Sequence, residues 1–185
     1  MSAPLPWDEV AEGEPDKRRV FTVRSDVVRS QKTGQAWTID RLLCPDWVNV
    51  VAITDNDELL LVKQWRFGAR AFTLELPAGL VEPGEDPLAA GLRELLEETG
   101  YAPHDEAARV IGTCQPNPAF MSNVCTTVFA PRTALLQAQE LDPMEEVEVV
   151  RVPLHDVDAM LRRGELATAL AMVALHWWRL AVQRA

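Results

Sequence analysis

Three cysteines in 185 residues, none in a Cys-x-x-Cys pair, exclude a disulfide framework and a thiolate zinc site. Cys44, Cys114 and Cys125 read instead as separate thiols in a reducing compartment. Basic residues are also scarce. Eighteen Lys and Arg against 28 Asp and Glu leave a net charge of −10, and no basic cluster interrupts the chain. That excludes a broad nucleic-acid surface and a polybasic membrane patch. No apolar run reaches the ~20 residues that span a bilayer. Leu166 to Trp178 comes nearest and contains His176, with Arg179 following. The first 17 residues lack the basic start and apolar stretch of a signal peptide, which predicts a cytoplasmic protein with no membrane partner. Internal repeats and low-complexity segments are absent as well.

What is present suits one domain of ordinary size. The chain is 48% hydrophobic, enough for a substantial core. Residues 1–17 are rich in Pro, Glu and Asp and read as a flexible leader. Residues 18–48 form an N-terminal β region, with strands at Val20–Val28 and Ala36–Leu43 around a polar turn at Ser30–Gly34. Residues 49–185 form the main domain. Its predicted strands are Val48–Thr54, Glu58–Gln64, Phe72–Leu76, Ala108–Cys114, Cys125–Ala130 and Glu146–Val152, with Asp55-Asn56-Asp57 as a hairpin turn. Two late helices follow, Leu154–Arg163 and Glu165–Arg184. In the second, Leu166, Leu170, Val173, Trp177 and Leu180 form the expected core-facing stripe. The Trp177-Trp178 pair reads as packing rather than a ligand box. The order of elements is mixed α/β.

One helix stands out. In the segment GLVEPGEDPLAAGLRELLEETGY, Asp86 fits the N-cap, Pro87 the first helical position and Gly100 the stop. Leu88, Leu92, Leu95 and Thr99 share one face, and Glu94, Glu97 and Glu98 are expected on the opposite side. Glu94 neighbours both other glutamates, and like charges at ~4 Å repel by roughly 1–4 kcal/mol each. Only Arg93 lies near. Taken alone, three glutamates also fit a solvated acidic face. A divalent cation would turn the repulsion into attraction, because hard cations take oxygen ligands.

The wider spacing carries more. Gly79, Glu85, Arg93-Glu94-Leu95, Glu97-Glu98 and Gly100-Tyr101 together resemble the signature of the Nudix hydrolases. Tyr101 is a departure, standing where an aliphatic residue is usual. The resemblance implies a mixed β-sheet sandwiched between α-helices, with the signature helix lining the site. It implies metal-dependent hydrolysis of a nucleoside diphosphate linked to another group, with Mg2+ as cofactor or Mn2+ in its place. It assigns Glu94 and Glu98 as principal metal ligands, Glu97 as an assisting and catalytic carboxylate, and the Ala78 carbonyl as a further ligand. Arg93 is expected to pin the loop by pairing with Glu85, and Gly79 and Gly84 to permit backbone turns. The general base is expected in Leu141–Glu146, with Glu145 first and Glu146 second. A solvated acidic loop is the alternative for each.

Three flanking elements narrow the substrate. Gln64-Trp65-Arg66, Glu75-Leu76-Pro77-Ala78-Gly79 and Pro116 resemble the ADP-ribose and nucleotide-sugar pyrophosphatase branch. Arg66 reads either as a phosphate ligand or as a surface ion pair. Asn123 stands near the place of a branch glutamate, which broadens the expectation to nucleoside diphosphate sugars, ADP-ribose leading. Arg41 and Trp47 are further candidate substrate contacts. The branch also implies a homodimer built through residues 18–48, with Trp37 and Trp47 at the interface. The competing reading is a non-catalytic sensor of ADP-ribose or a nucleotide sugar.

Overall fold

A computed structural model of the chain describes residues 3–183. The chain divides into two compact units.

The first unit comprises residues up to Pro45 together with Gln115–Asn123. Its strands are β1 (Trp7–Ala11), β2 (Asp16–Lys17), β3 (Thr22–Ser30) and β4 (Ala36–Leu43). The long β3 is central. β4 lies antiparallel along one edge of β3, while β1 and β2 share the other. Residues 1–17, read from composition as flexible, contain β1 and β2. Every residue of β1 is exposed, so it carries no alternating burial pattern, and main-chain pairing to β3 is what orders it. Gln115–Asn123 joins this unit through β4. Leu42 N–H donates to Phe120 O at 2.7 Å, and Ser122 N–H donates to Leu42 O at 3.1 Å.

The second unit holds the remaining elements: β5 (Trp47–Thr54), β6 (Glu58–Arg66), β7 (Ala71–Glu75), β8 (Ala78–Leu80), α1 (Pro87–Thr99), β9 (Tyr101–Pro103), β10 (Arg109–Cys114), β11 (Cys125–Leu135), β12 (Val147–Pro153), α2 (Leu154–Arg163) and α3 (Ala169–Val182). Eight strands make one mixed sheet with the path β10-β11-β5-β6-β12. Only the β5–β11 pair is parallel. The expected α/β sandwich is present, and β5 shows why. Val48, Val50 and Ala52 face Ala90 and Leu95 of α1. Val51 and Ile53 face the other way, towards Val157 and Met160 of α2 and Ala171, Ala174 and Leu175 of α3. A strand buried on both faces reads as a continuous apolar run, as this one does.

β5 and β6 pair only at Ile53–Leu59 and then diverge. The stretch from Ala71 to Leu80 fills the wedge, first as β7 on β6, then as β8 on β5. The crossing falls at Leu76-Pro77, immediately before Ala78.

α3 begins at Ala169, four residues later than expected, and Arg184 lies outside the described residues. Its buried face is Ala171, Ala174 and Leu175, with Trp178 packed beside it. Leu170, Val173, Trp177 and Leu180 are only half-buried, so the expected stripe is displaced. Trp177 is nonetheless a packing residue. A Cβ on Gly112 of β10 would lie 2.5 Å from its indole ring. The three thiols are free, and burial pushes Cys125 up to about 12. No helix among the described residues is long and apolar enough to cross a membrane.

Candidate active site

α1 presents the carboxylates because its ends are fixed. Asp86 accepts from the N–H groups of Leu88 and Ala89 at 3.1 Å each, Pro87 opens the helix, and Gly100 closes it at φ 75°. The helix face differs from expectation in one respect. Glu98 is not on the solvent side. It lies on the core stripe with Gly91, two turns earlier, and Leu95, one turn earlier, and is 3% exposed.

What receives it is the open edge of β8. Val81 N–H donates to Asp46 O, and Val50 N–H donates to Pro77 O, so residues 77, 79 and 81 turn their main-chain groups to the β5 side. By strand alternation Ala78 and Leu80 turn theirs away. Ala78 N–H donates to Glu98 Oε2 at 2.9 Å, and Leu80 O accepts from Arg93 Nη2 at 3.1 Å. The Ala78 carbonyl lies on this same edge. Burial, together with the charges of Glu94 and Glu145, pushes Glu98 up to about 8, despite the opposing bond from Ala78.

Arg93 organises the other carboxylates. Its Nε and Nη2 grip Glu85 at 3.0 Å each, as the sequence led us to expect. Its Nη1 donates to Glu94 at 2.9 Å and Glu97 at 3.0 Å. The Arg93 hydrogen bonds hold Glu85 below the usual carboxylate range. Burial holds Glu94 above that range, against Arg93 and with the charges of Glu97 and Glu145. Those couplings put Glu145 within electrostatic reach of Glu94 and Glu98. Glu145 and Glu146 are both exposed.

Gly79 earns its place by close approach, not by a turn. It stands inside β8, and a Cβ there would lie 2.0 Å from the Glu94 carboxyl carbon. The turn role falls to Gly84, at φ 84°. Gly79→Ala is thus expected to leave the melting temperature nearly unchanged, since only a side-chain tip must move. It should lower kcat about a hundredfold by displacing Glu94. An unchanged kcat would show that Glu94 need not lie against β8.

Arg66 is engaged. Its Nε and Nη2 meet Glu75 at 2.8 and 2.7 Å, leaving Nη1 outside that pair, and Glu98 and Glu145 also act on its charge. Burial alone would raise Glu75, but the hydrogen bonds from Arg66 and Thr73 outweigh it and hold the carboxyl low. Trp47 is half-buried at the start of β5. Two other expected contacts belong to the first unit. Arg41 is occupied there by Asp26 and Glu9. Asn123 is 2% exposed, and neither amide atom has a hydrogen-bond partner.

Among the described residues, no three acidic, histidine or cysteine side chains converge as a ready-made metal cage. Glu94 and Glu97 are turned to Arg93, and Glu98 to Ala78. The donor set still fits a hard cation. It is all oxygen, and its buried member, whose pKa burial raises, lies beside two further carboxylates whose charges a cation would offset. Glu94, Glu97, Glu98 and the Ala78 carbonyl would hold the ion, with the two outer carboxylates leaving Arg93.

Comparison with known proteins identifies the family. The NUDIX domain model matches residues 45–171. Over 137 residues the chain is 34% identical to an ADP-ribose pyrophosphatase of Bacillus subtilis (strain 168), covering 74% of this chain and 73% of that protein. It is 58% identical over 122 residues to an ADP-sugar pyrophosphatase of Mus musculus, covering 60% of this chain and 55% of that protein. A crystal structure of an ADP compounds hydrolase superposes with a TM-score of 0.85 at 24% identity, covering 99% of this chain and 97% of the other. The matched span contains β8, α1 and the segment bearing Glu145, and on that match the chain belongs to the Nudix hydrolase family.

Proposed function

We propose that this hydrolase cleaves the pyrophosphate of ADP-ribose and related nucleoside diphosphate sugars, giving a nucleoside monophosphate and a sugar phosphate. The observation that carries the reading is the buried Glu98 carboxyl, charge-coupled to Glu94 and Glu145 beside β8. The relatives that act on ADP-ribose and ADP-sugars support the substrate class. When bound, Mg2+ (or Mn2+) would neutralise phosphate oxygens and acidify a coordinated water. The chain's own residues do the rest. Glu94, Glu97 and Glu98 supply the charge that holds the ion, and Glu145 accepts the proton of the attacking water. Glu85 and Arg93 hold the helix and loop. Arg66 offers Nη1 to a phosphate oxygen. Trp47, Arg41 and Asn123 are the remaining substrate contacts we assign.

Incubating the protein with Mg2+ and ADP-ribose, then resolving AMP and ribose 5-phosphate, tests the activity. Binding without turnover across a panel of sugar nucleotides would make the protein a sensor instead.

We also assign residues 18–48 as a homodimer arm. Trp37, 53% exposed on β4, supports this, with Ile39 two residues on along the same strand face. Sedimentation showing only monomer at micromolar concentrations would refute it. The three free thiols suit the cytoplasm. Export of the native protein to an oxidising compartment would contradict that placement.

A further inference from the structure

The connection from β11 to β12 carries Glu145, and it is stitched to the last turn of α1. Leu136 and Gln137 N–H donate to Gly100 O at 2.8 and 3.2 Å, and Glu140 N–H donates to Glu97 O at 2.9 Å. These bonds satisfy carbonyls that a helix end leaves open. One side chain joins them. Gln139 Nε2 donates to Glu98 O at 2.5 Å and to Val147 O at 3.2 Å. Val147 begins β12, two residues beyond Glu145. A single amide nitrogen therefore links the helix residue that carries the buried carboxylate to the far end of the loop that carries Glu145.

We propose that Gln139 is a positioning residue: its amide ties the main chain of Glu98 to that of Val147 and so sets where the Glu145 carboxylate stands relative to Glu98. The inference rests on Glu145 being the base. Gln139 does not itself touch substrate. The chemistry of the tie is specific. A primary amide carries two N–H donors on one nitrogen and can serve two carbonyls at once, with no charge. A glutamate of the same shape has no donor and would repel both oxygens. Within the loop, Glu145 N–H donates to Asp142 O at 2.9 Å, and Asp142 N–H donates to Glu145 Oε2 at 3.2 Å. The base thus sits in a small closed turn, and Gln139 anchors that turn from outside. Gln139 is exposed, so water can replace its amide at both carbonyls when the side chain is removed. Loss of the tie should therefore loosen the loop without unfolding the protein.

The test compares Gln139→Ala and Gln139→Glu with wild type by hydrogen exchange and by steady-state kinetics on ADP-ribose with Mg2+. Amide exchange across residues 140–146 should rise about tenfold or more in both variants, with melting temperature little changed. The expected kinetic change is a fall in kcat of about tenfold at constant KM. In a Glu145→Gln background, Gln139→Ala should lower kcat no further, because the two act as one unit. Unchanged exchange in the loop would overturn the proposal, as would full multiplication of the two kinetic losses. Absence of wild-type turnover would defeat the proposed function instead, and the exchange measurement would still decide whether Gln139 orders the loop.

Discussion

Replacing Glu98 by glutamine should lower kcat by about a thousandfold while the protein remains folded. The substitution keeps the volume of the side chain and an oxygen that can accept the Ala78 N–H, so the contact between α1 and β8 survives. What it removes is the negative charge at the one carboxyl of the cluster that is fully buried. A bound divalent ion contributes several kcal/mol to a transition state of this kind, and each ~1.4 kcal/mol is a factor of ten in rate. If Glu98 holds the ion as proposed, losing its charge forfeits most of that. Circular dichroism and a melting curve establish the fold, and Mn2+ titration followed by electron paramagnetic resonance reads the metal site directly. Weakened Mn2+ binding alongside the lost rate is the expected pair of results. A near-normal kcat, or undiminished Mn2+ affinity, would remove Glu98 from the metal site.

The same variant should behave in the opposite sense for stability when metal is absent. The ordinary value for this carboxyl is 4.5, and in the folded chain it is pushed up to about 8, chiefly by burial. The folded protein therefore keeps the proton while the unfolded chain has already released it. Stability is lost as pH rises from about 4.5 to about 8, by an amount on the order of 3–5 kcal/mol at most. With metal chelated, wild type should melt progressively lower between pH 5 and pH 8, and Glu98→Gln should not follow it down. Adding Mg2+ at pH 8 should restore wild type and leave the variant unmoved. Parallel curves for the two proteins would show that this carboxyl is not held above its ordinary range.

Much of the site could be read from residue types and spacing, because capping, helix pitch and ion pairing are local. Asp86, Pro87 and Gly100 fix α1, and Glu85 finds Arg93 across eight residues because the intervening turn is short. What escaped the sequence is what depends on the sheet. β8 follows Pro77 and contains Gly79, and β9 follows Gly100 and ends on Pro103; both are three-residue strands that little in their composition favours, and they form where β5 and β11 pair with them. By charge alone Glu98 groups with its acidic neighbours. The 91–95–98 spacing places it on the buried stripe, a signal present in the sequence but masked by its charge. Gly79 was read as a turn glycine because only the three-dimensional position of Glu94 reveals the collision a side chain would make. Gln139 carried no signal at all, since its two acceptors lie 41 and 8 residues away.

Glu145→Gln and Glu146→Gln, adjacent and chemically alike, should separate sharply. The Glu145 charge bears on Glu94, Glu98 and Arg66, and this favours it over its neighbour Glu146 as the base. A general base contributes about 10²–10⁴-fold, so Glu145→Gln should lose that much in kcat with KM little changed. Mn2+ binding should persist, because the α1 carboxylates proposed to hold the metal are untouched, and this distinguishes the variant from Glu98→Gln. To act, the Glu145 carboxylate must release the Asp142 N–H it accepts in the resting loop. That bond lies at the surface, where water can take over the donor, so the exchange costs little. A large loss in Glu146→Gln with Glu145→Gln unaffected would reverse the assignment. Near-normal rates in both would place the base outside Leu141–Glu146, and the loop that Gln139 anchors would then have no part in the chemistry.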